Sequence, residues 1–501
     1  MERLARALLL AFVALAGSFA LTAVDAAPAV GAARQHALVG ISDPVITGST
    51  PGLLEAVAPK WRAAGIDIAS VTADWREIAP DKDATVAPPG FNGADPSSTL
   101  YDWANLDRVI AVLRSHRLEP LLTITGPGPL WSSGDQSRGS ARYRPDADLF
   151  AAFAAAVSER YSAQVARYII WTEPNTSERL RPQSFCSKGR CSPRSPEIYR
   201  KLFNAAATAI RRADSSAQVY AGALAARGMD GKDSDDPIRP IPWLRAFGCL
   251  GEGDTADRSS AACDGFEASA VDGLAFHPDQ RATAPSKRLP STFEVGITDT
   301  RRLTDVLDAA QLTGGLTNAA DNSLPIDIYY DEWGYQTNPP DVYSGVSLAA
   351  QDRWLQQGAK IVYGQPRVKL LGQYLWRDQP VVDDGKGVDA YSGTQSGIYS
   401  FDGSPKPAAA HFSNPFWAYV PADGGSARLW GQVRPGAAHS VAIQRRIGRR
   451  SFRTIAEVQT DAEGYFSTSF EIRTAASYRY YWLAGSQARK RYSAAVALRP
   501  R

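Results

Sequence analysis

The sequence predicts an α/β protein built as a (β/α)8 TIM barrel, followed by a small all-β sandwich of immunoglobulin-like type. Two observations carry this prediction. From His36 onward, short β-branched runs alternate with stretches of 3.6-residue apolar periodicity, and eight such units occupy roughly 380 residues, the size of a barrel with insertions. After about Ala422 the texture changes to short alternating strands punctuated by Gly, Pro, Asp and Ser.

The units follow in order. Residues 37–41 read as the first strand and 53–64 as its helix; 67–74 form the second strand, with Trp75 just past its end. Leu106, Val109, Ile110 and Leu113 then share one helix face. Residues 121–125 make the third strand, and Phe150, Phe153, Ala154 and Val157 repeat the helical device before the fourth, 168–171. Helix 198–212 precedes strand 218–223, a short helix at 242–247 precedes strand 271–276, and helix 302–312 precedes strand 326–330. Helix 348–363 leads to strand 368–376, and 407–412 starts the eighth helix. An open doubly wound sheet is the competing arrangement, but no nucleotide fingerprint follows any strand. The sandwich strands are read at 429–433, 441–445, 452–458, 466–472, 478–484 and 493–498. Tyr478, Tyr480 and Trp482 alternate along one of these, which suits core filling better than a sugar platform.

Composition narrows the function. The 501 residues are 44% hydrophobic and 21% charged, and 55 Lys+Arg against 52 Asp+Glu are too balanced for a dedicated nucleic-acid binder. Arg3 and Arg6 precede an apolar run, and Val24-Asp25-Ala26 offers the small residues that a signal peptidase reads. Residues 1–26 are therefore expected to be an export signal, leaving a secreted chain (extracellular or cell-envelope) without a membrane span. The domains expected after it are a barrel over 27–420 and an accessory sandwich over 421–501.

Of the three pairings open to four cysteines, the export context favours two local disulfides, Cys186 with Cys191 and Cys249 with Cys263. Neither pair has the C-x-x-C spacing of a thiolate metal site. Five scattered histidines, no G-x-S-x-G and no P-loop leave metal, serine-hydrolase and nucleotide chemistry without support, so no cofactor is expected.

In a barrel of this kind catalytic groups stand at the C-terminal strand ends. Glu173 follows the fourth strand and Glu332 the seventh, on opposite sides of the barrel mouth, so both can point into one cleft. Two facing carboxylates are what glycoside hydrolysis requires: one protonates the leaving oxygen and the other attacks the sugar or activates water. Strand alternation lets only one of Asp331 and Glu332 face the axis, and the following Trp-Gly favours Glu332.

Trp171-Thr172-Glu173-Pro174-Asn175 and Asp331-Glu332-Trp333-Gly334-Tyr335 resemble the two signature segments of clan A glycoside hydrolases, the retaining (β/α)8 enzymes that include cellulases, β-xylosidases and α-iduronidases. The resemblance spans roughly residues 36–415 and takes in Trp75-Arg76-Glu77-Ile78-Ala79-Pro80, Phe276-His277-Pro278, Trp376 and Lys406-Pro407. It implies Glu173 as acid/base and Glu332 as nucleophile. The chain departs from the family pattern at three places: Thr172 replaces an Asn that grips the sugar 2-hydroxyl, Ser70 an Arg beside the nucleophile, and Asp279 a Tyr after the strand-six His.

Trp75, Trp131, Trp333, Tyr335 and Trp376 near strand ends are candidates to stack on sugar faces, Trp376 as floor of the first subsite. His277 is read as a sugar partner or an orienting group. The expected activity is that of a secreted, monomeric retaining glycosidase on a poly- or oligosaccharide. The alternatives are a non-catalytic carbohydrate-binding protein on the same scaffold and a cell-surface transglycosylase.

Overall fold

The structure, a computed structural model, describes residues 36–500 apart from 230, 383, 384, 386, 423, 486 and 487. The expected export signal at 1–26 lies outside the described residues. Eight parallel strands close a barrel: β1 (Leu38–Ser42), β2 (Ile68–Asp74), β3 (Glu119–Thr125), β4 (Arg167–Ile170), β5 (Gln218–Ala225), β6 (Gly273–His277), β7 (Ile328–Trp333) and β8 (Val368–Tyr374). Each pairs with its neighbours in sequence, and Leu38 opposite Leu370 closes β1 onto β8. The fold class is therefore the one predicted.

Helices α1 (Leu53–Ala63), α2 (Ala104–Ser115), α3 (Ala147–Tyr161), α4 (Ser195–Ala213), α5 (Pro240–Phe247), α6 (Thr300–Leu312), α7 (Leu348–Tyr363) and α8 (Pro407–His411) follow the strands in turn. Their apolar stripes explain the ring they form: on α2 the predicted Leu106, Val109, Ile110 and Leu113 are all buried. Inside the barrel Ile68, Leu121, Ile169, Tyr220, Ala275, Tyr329 and Leu370 form a separate core, a packed interior and not a pore. That plug closes the bottom and leaves function to the long loops after the strands. The loop after β4 carries the hairpin bridged by Cys186–Cys191, and Cys249–Cys263 staples the chain between α5 and β6, the local pairings expected.

The sandwich has one sheet of β9 (Phe416–Tyr419), β10 (Ser426–Gln432) and β13 (Tyr465–Glu471). The other contains β12 (Arg453–Gln459), β11 (Ser440–Arg446), β14 (Ala476–Ala484) and β15 (Arg489–Tyr492), with β16 (Val496–Leu498) also on β14. Its first strand begins ahead of residue 421; the predicted strand 493–498 is present, shortened, as β16, and β15 precedes it as a strand the sequence pattern did not mark. Tyr478, Tyr480 and Trp482 fill its core. The junction with the barrel is aromatic and polar: Tyr363 of α7 packs on Trp430 and Tyr465, with ring centroids 5.5 and 5.0 Å away. Buried Arg434 donates to the Phe412 carbonyl at 3.1 Å, and the Trp482 indole to Asn414.

Candidate active site

Glu173 stands three residues beyond β4 on a turn that the backbone adopts at some cost. Trp171 and Glu173 have φ of 70° and 45°, in the left-handed region where a side chain costs about 1–3 kcal/mol. Hydrogen bonds hold the turn: Glu173 N donates to Ala223 O on β5 at 2.7 Å, and Trp171 N to Ile124 O on β3 at 2.8 Å. Buried Asn175 fastens the same turn, accepting from Ala225 N at 2.9 Å and donating to Ala225 O at 3.1 Å and Ile238 O at 2.9 Å. The Glu-Pro-Asn sequence is thus a scaffold that aims one carboxylate.

The last residue of β6, His277, is the centre of the site. Its Nδ1 lies 3.0 Å from Oε1 of Glu173 and 3.9 Å from Oε2 of Glu332, and its Nε2 lies 3.2 Å from Oδ2 of Asp331. From β1, Ser42 donates its hydroxyl to Oε1 of Glu332 at 2.9 Å. The side chains of Glu173 and Glu332 keep 32% and 30% exposure, against 11% for His277 and 6% for Asp331. The two glutamates therefore face the cleft, and the histidine and aspartate form the wall behind them.

The charges follow from that geometry. Each ring nitrogen of His277 faces a carboxylate, and a neutral imidazole has only one N–H to give. Burial opposes the cation, but the charges of Asp331 and Glu332 and the bonds to Asp331 and Glu173 outweigh it and hold His277 well above its ordinary value. Burial also pushes Glu173 up, yet the bond and charge of His277, with a smaller pull from Arg179, leave it below the usual glutamate value. Glu332 moves the other way. Burial, then repulsion from Asp331 and Glu173, overcome the pull of His277 and Ser42 and raise it. Ligand-free, the site keeps Glu173 ionised against the imidazolium and makes Glu332 the readier proton holder.

Two further residues complete the mouth. Tyr374 at the end of β8 is half-buried, and burial together with the charges of Glu332, Glu173 and Asp43 keeps its phenol protonated. Asp43 is buried and accepts from Trp376 N at 2.9 Å and Arg377 N at 3.3 Å, which ties the loop after β1 to the loop after β8.

Asp331 corrects the sequence reading. The β7–β8 register slips between Tyr330 and Trp333, so strict alternation fails there and both adjacent acids approach His277. A side chain at Gly372 would collide with the Asp331 backbone, so this close passage of β7 by β8 needs glycine. Ser42 and Tyr374 carried no sequence signal beyond standing at strand ends.

Of the other expected residues, Thr172 lies half-buried next to Glu173 in sequence. The stacking role read for Trp75, Trp333 and Tyr335 is corrected by burial: they are 1%, 4% and 1% exposed. Trp75 stacks on Phe153 with centroids 5.9 Å apart and meets the edge of Trp131. Trp333 packs on Gly358 of α7, and Tyr335 donates its hydroxyl to Thr283 O at 2.9 Å while packing on Trp354. Burial corrects the subsite floor read for Trp376 as well: it is 6% exposed and packs on Tyr399 and Phe412. Among the described residues, no three or more His, Cys, Asp and Glu side chains are grouped so as to hold a metal ion, and no helix is long and apolar enough to cross a membrane.

No protein-family model matches the chain, and no curated protein matches it in sequence. Solved structures to which it is similar include a glucosidase from Croceicoccus marinus, at 13% identity over 87% of this chain and 94% of that one, with a TM-score of 0.48. An endo-beta-1,4-mannanase from Thermotoga petrophila matches at 11% identity over 93% and 98%, TM-score 0.41. A family 1 β-glucosidase from Thermotoga maritima matches at 13% over 74% and 95%, TM-score 0.43.

Proposed function

We propose that the chain is a secreted retaining glycoside hydrolase acting on a poly- or oligosaccharide, with Glu173 as acid/base and Glu332 as nucleophile. The observation that carries this reading is the shared approach of both carboxylates to Nδ1 of His277, at 3.0 and 3.9 Å. Oxygens within 3.0 and 3.9 Å of one nitrogen lie no more than about 7 Å apart, which accommodates the ~5–5.5 Å of a retaining enzyme and reaches only the low end of the ~6.5–9.5 Å that admits a water between the acids of an inverting one.

In the first step Glu332 attacks the anomeric carbon while the bond to the leaving oxygen breaks and that oxygen takes the proton of Glu173. A glycosyl ester on Glu332 results. In the second step Glu173, now ionised, takes a proton from water as the water attacks the anomeric carbon, and Glu332 leaves as a carboxylate. Ser42 fixes the attacking carboxylate through Oε1. Thr172 supplies the hydroxyl nearest the acid/base in sequence.

This assignment asks a bound sugar to reverse the ligand-free proton order, in which Glu332 is raised and Glu173 lowered. A substrate oxygen entering between Glu173 and His277 breaks the contact that keeps Glu173 ionised. The same proton order favours a second reading with the two roles exchanged. Turnover of a panel of aryl glycosides by the wild type and Glu332→Ala tests the enzyme reading. Binding of the same sugars without any turnover by the wild type would reject it.

A further inference from the structure

The outer face of the β12–β11–β14–β15 sheet serves neither core. Because β14 turns Tyr478, Tyr480 and Trp482 inward, it must turn Arg479, Tyr481 and Leu483 outward. Pairing extends the face sideways: Gln444 lies opposite Arg479, Tyr492 opposite Tyr481, and Lys490 opposite Leu483. Cations and rings interleave across it. Arg446 and Arg479 lie over the Phe452 ring at 4.6 and 4.0 Å, Arg479 also over Tyr492 at 4.3 Å, and Lys490 over Tyr481 at 4.7 Å.

The surrounding chain is as basic as the face. Five arginines fall within residues 445–453, and Arg489, Lys490 and Arg491 are consecutive and exposed. From residue 440 onward twelve Lys+Arg stand against four Asp+Glu, whereas the whole chain carries 55 against 52. Among the described residues, Arg446, Arg479 and Lys490 of this face form no ion pair with a carboxylate; the pair on this part of the chain is Arg473–Glu471. The buried Nε of Arg446 has no hydrogen-bond partner. Arg479 is pushed down by burial and by Arg446, with Tyr492 opposing. Among the described residues, these like charges are gathered without an acid paired to them.

We propose that this face binds an anionic polysaccharide, a chain of carboxylate-bearing sugars lying across β11, β14 and β15. Each sugar of such a chain presents a carboxylate, and the sheet presents a row of cations held in place over Phe452, Tyr481 and Tyr492, so the contact is one of charge and hydrogen bonding. A nucleic acid stacks its bases on open aromatic faces, whereas Phe452, Tyr481 and Tyr492 are already covered by cations. A lipid surface takes up an apolar stripe, whereas Leu483 stands between Tyr481 and Lys490. The proposal does not depend on the chemistry at Glu173 and Glu332.

The test uses the full chain and measures its affinity for polygalacturonate, for neutral dextran, for duplex DNA and for vesicles containing phosphatidylserine. Polygalacturonate should bind tightest, dextran not at all, and the affinity should fall at least tenfold at about 0.5 M salt, where screening shortens the reach of charge to a few Å. Arg446→Gln/Arg479→Gln/Lys490→Gln, confirmed folded by circular dichroism, should bind polygalacturonate at least tenfold more weakly. Lys490→Glu, a single exposed change, should weaken it severalfold and serves if the triple variant does not fold. Unchanged binding in the folded variants, no binding to polygalacturonate, or tighter binding to DNA or to the vesicles would overturn the proposal.

Discussion

Glu173 and Glu332 meet at one atom: Nδ1 of His277 lies 3.0 Å from the first and 3.9 Å from the second. One imidazolium therefore serves both carboxylates from one side while Asp331 holds it from the other at 3.2 Å. Groups coupled this closely titrate as a set, so a change at His277 must move both glutamates.

Replacing His277 with Gln removes the positive charge that pulls down on Glu173 and on Glu332. Both carboxyls then rise, and the acidic limb of the kcat/KM profile should move to higher pH. A pH profile of an aryl glycoside by wild type and His277→Gln measures it. An acidic limb that does not move would remove His277 from the proton bookkeeping of the site.

The same residue makes a stability prediction with a definite sign. His277 is raised in the folded state, so its contribution is complete below the ordinary histidine value of about 6.5 and is lost as pH climbs through the raised one. The difference in melting temperature between wild type and His277→Gln should be larger at mildly acidic pH and shrink on the alkaline side. A difference that grows with pH would mean that the ring is buried neutral.

The barrel, and three of the four side chains that converge at the candidate site, were legible in the sequence for a physical reason. Period-2 and period-3.6 patterns report which face is buried, and Glu173, His277 and Glu332 stand where strands end, which the patterns also mark. Asp331 was lost because alternation presumes unbroken register, and β7 breaks it between Tyr330 and Trp333. The tryptophans misled because a ring near a strand end looks the same whether it lines a cleft or, like Trp333, packs under a helix. Strand β15 escaped because its side chains, Arg-Lys-Arg-Tyr, are all exposed and give no apolar alternation. Strand β9, four residues directly after Pro415, offers too short a pattern to stand out from the end of α8.

Ser42→Ala deletes the hydroxyl that donates to Oε1 of Glu332 at 2.9 Å and leaves the carboxylate free to rotate. Hydrogen bonds to charged groups contribute about 1.5–3 kcal/mol, so kcat should fall about tenfold or more, with KM changing less. The carboxyl of Glu332, already raised, loses a group that lowers it. Steady-state kinetics decide this, and an unchanged kcat would show that Ser42 does not position the reacting group.

The rim of the cleft rests on a buried ion pair. Nζ of Lys406 donates to Asp378 Oδ1 at 2.7 Å, Thr337 Oγ1 at 2.8 Å and Gln395 O at 3.2 Å, which joins the loops after β7 and β8. Lys406→Met keeps the bulk but leaves Asp378 buried without its cation, at a cost of about 3–5 kcal/mol. Denaturant unfolding should register that loss. The double variant Lys406→Met/Asp378→Asn should recover part of it, because the stranded charge is gone; equal loss in both would assign the effect to packing.

The roles of the two acids are separable by stereochemistry. With Glu332 as nucleophile, Glu332→Ala forms no glycosyl ester and should lose at least 10³-fold in turnover of every substrate, on the scale of losing a catalytic group. Azide can then enter from the face the side chain vacated and give a glycosyl azide of inverted configuration. Glu173→Ala should still form the ester from an aryl glycoside with a good leaving group, which needs little protonation, and then stall. Azide attacking that ester gives the retained product. Product configuration read by NMR distinguishes the outcomes, and the ligand-free proton order gives the experiment its edge. If Glu173, kept ionised by His277, is instead the nucleophile, the two variants exchange their products. If both variants retain wild-type turnover, neither glutamate is catalytic and the hydrolase reading fails with them.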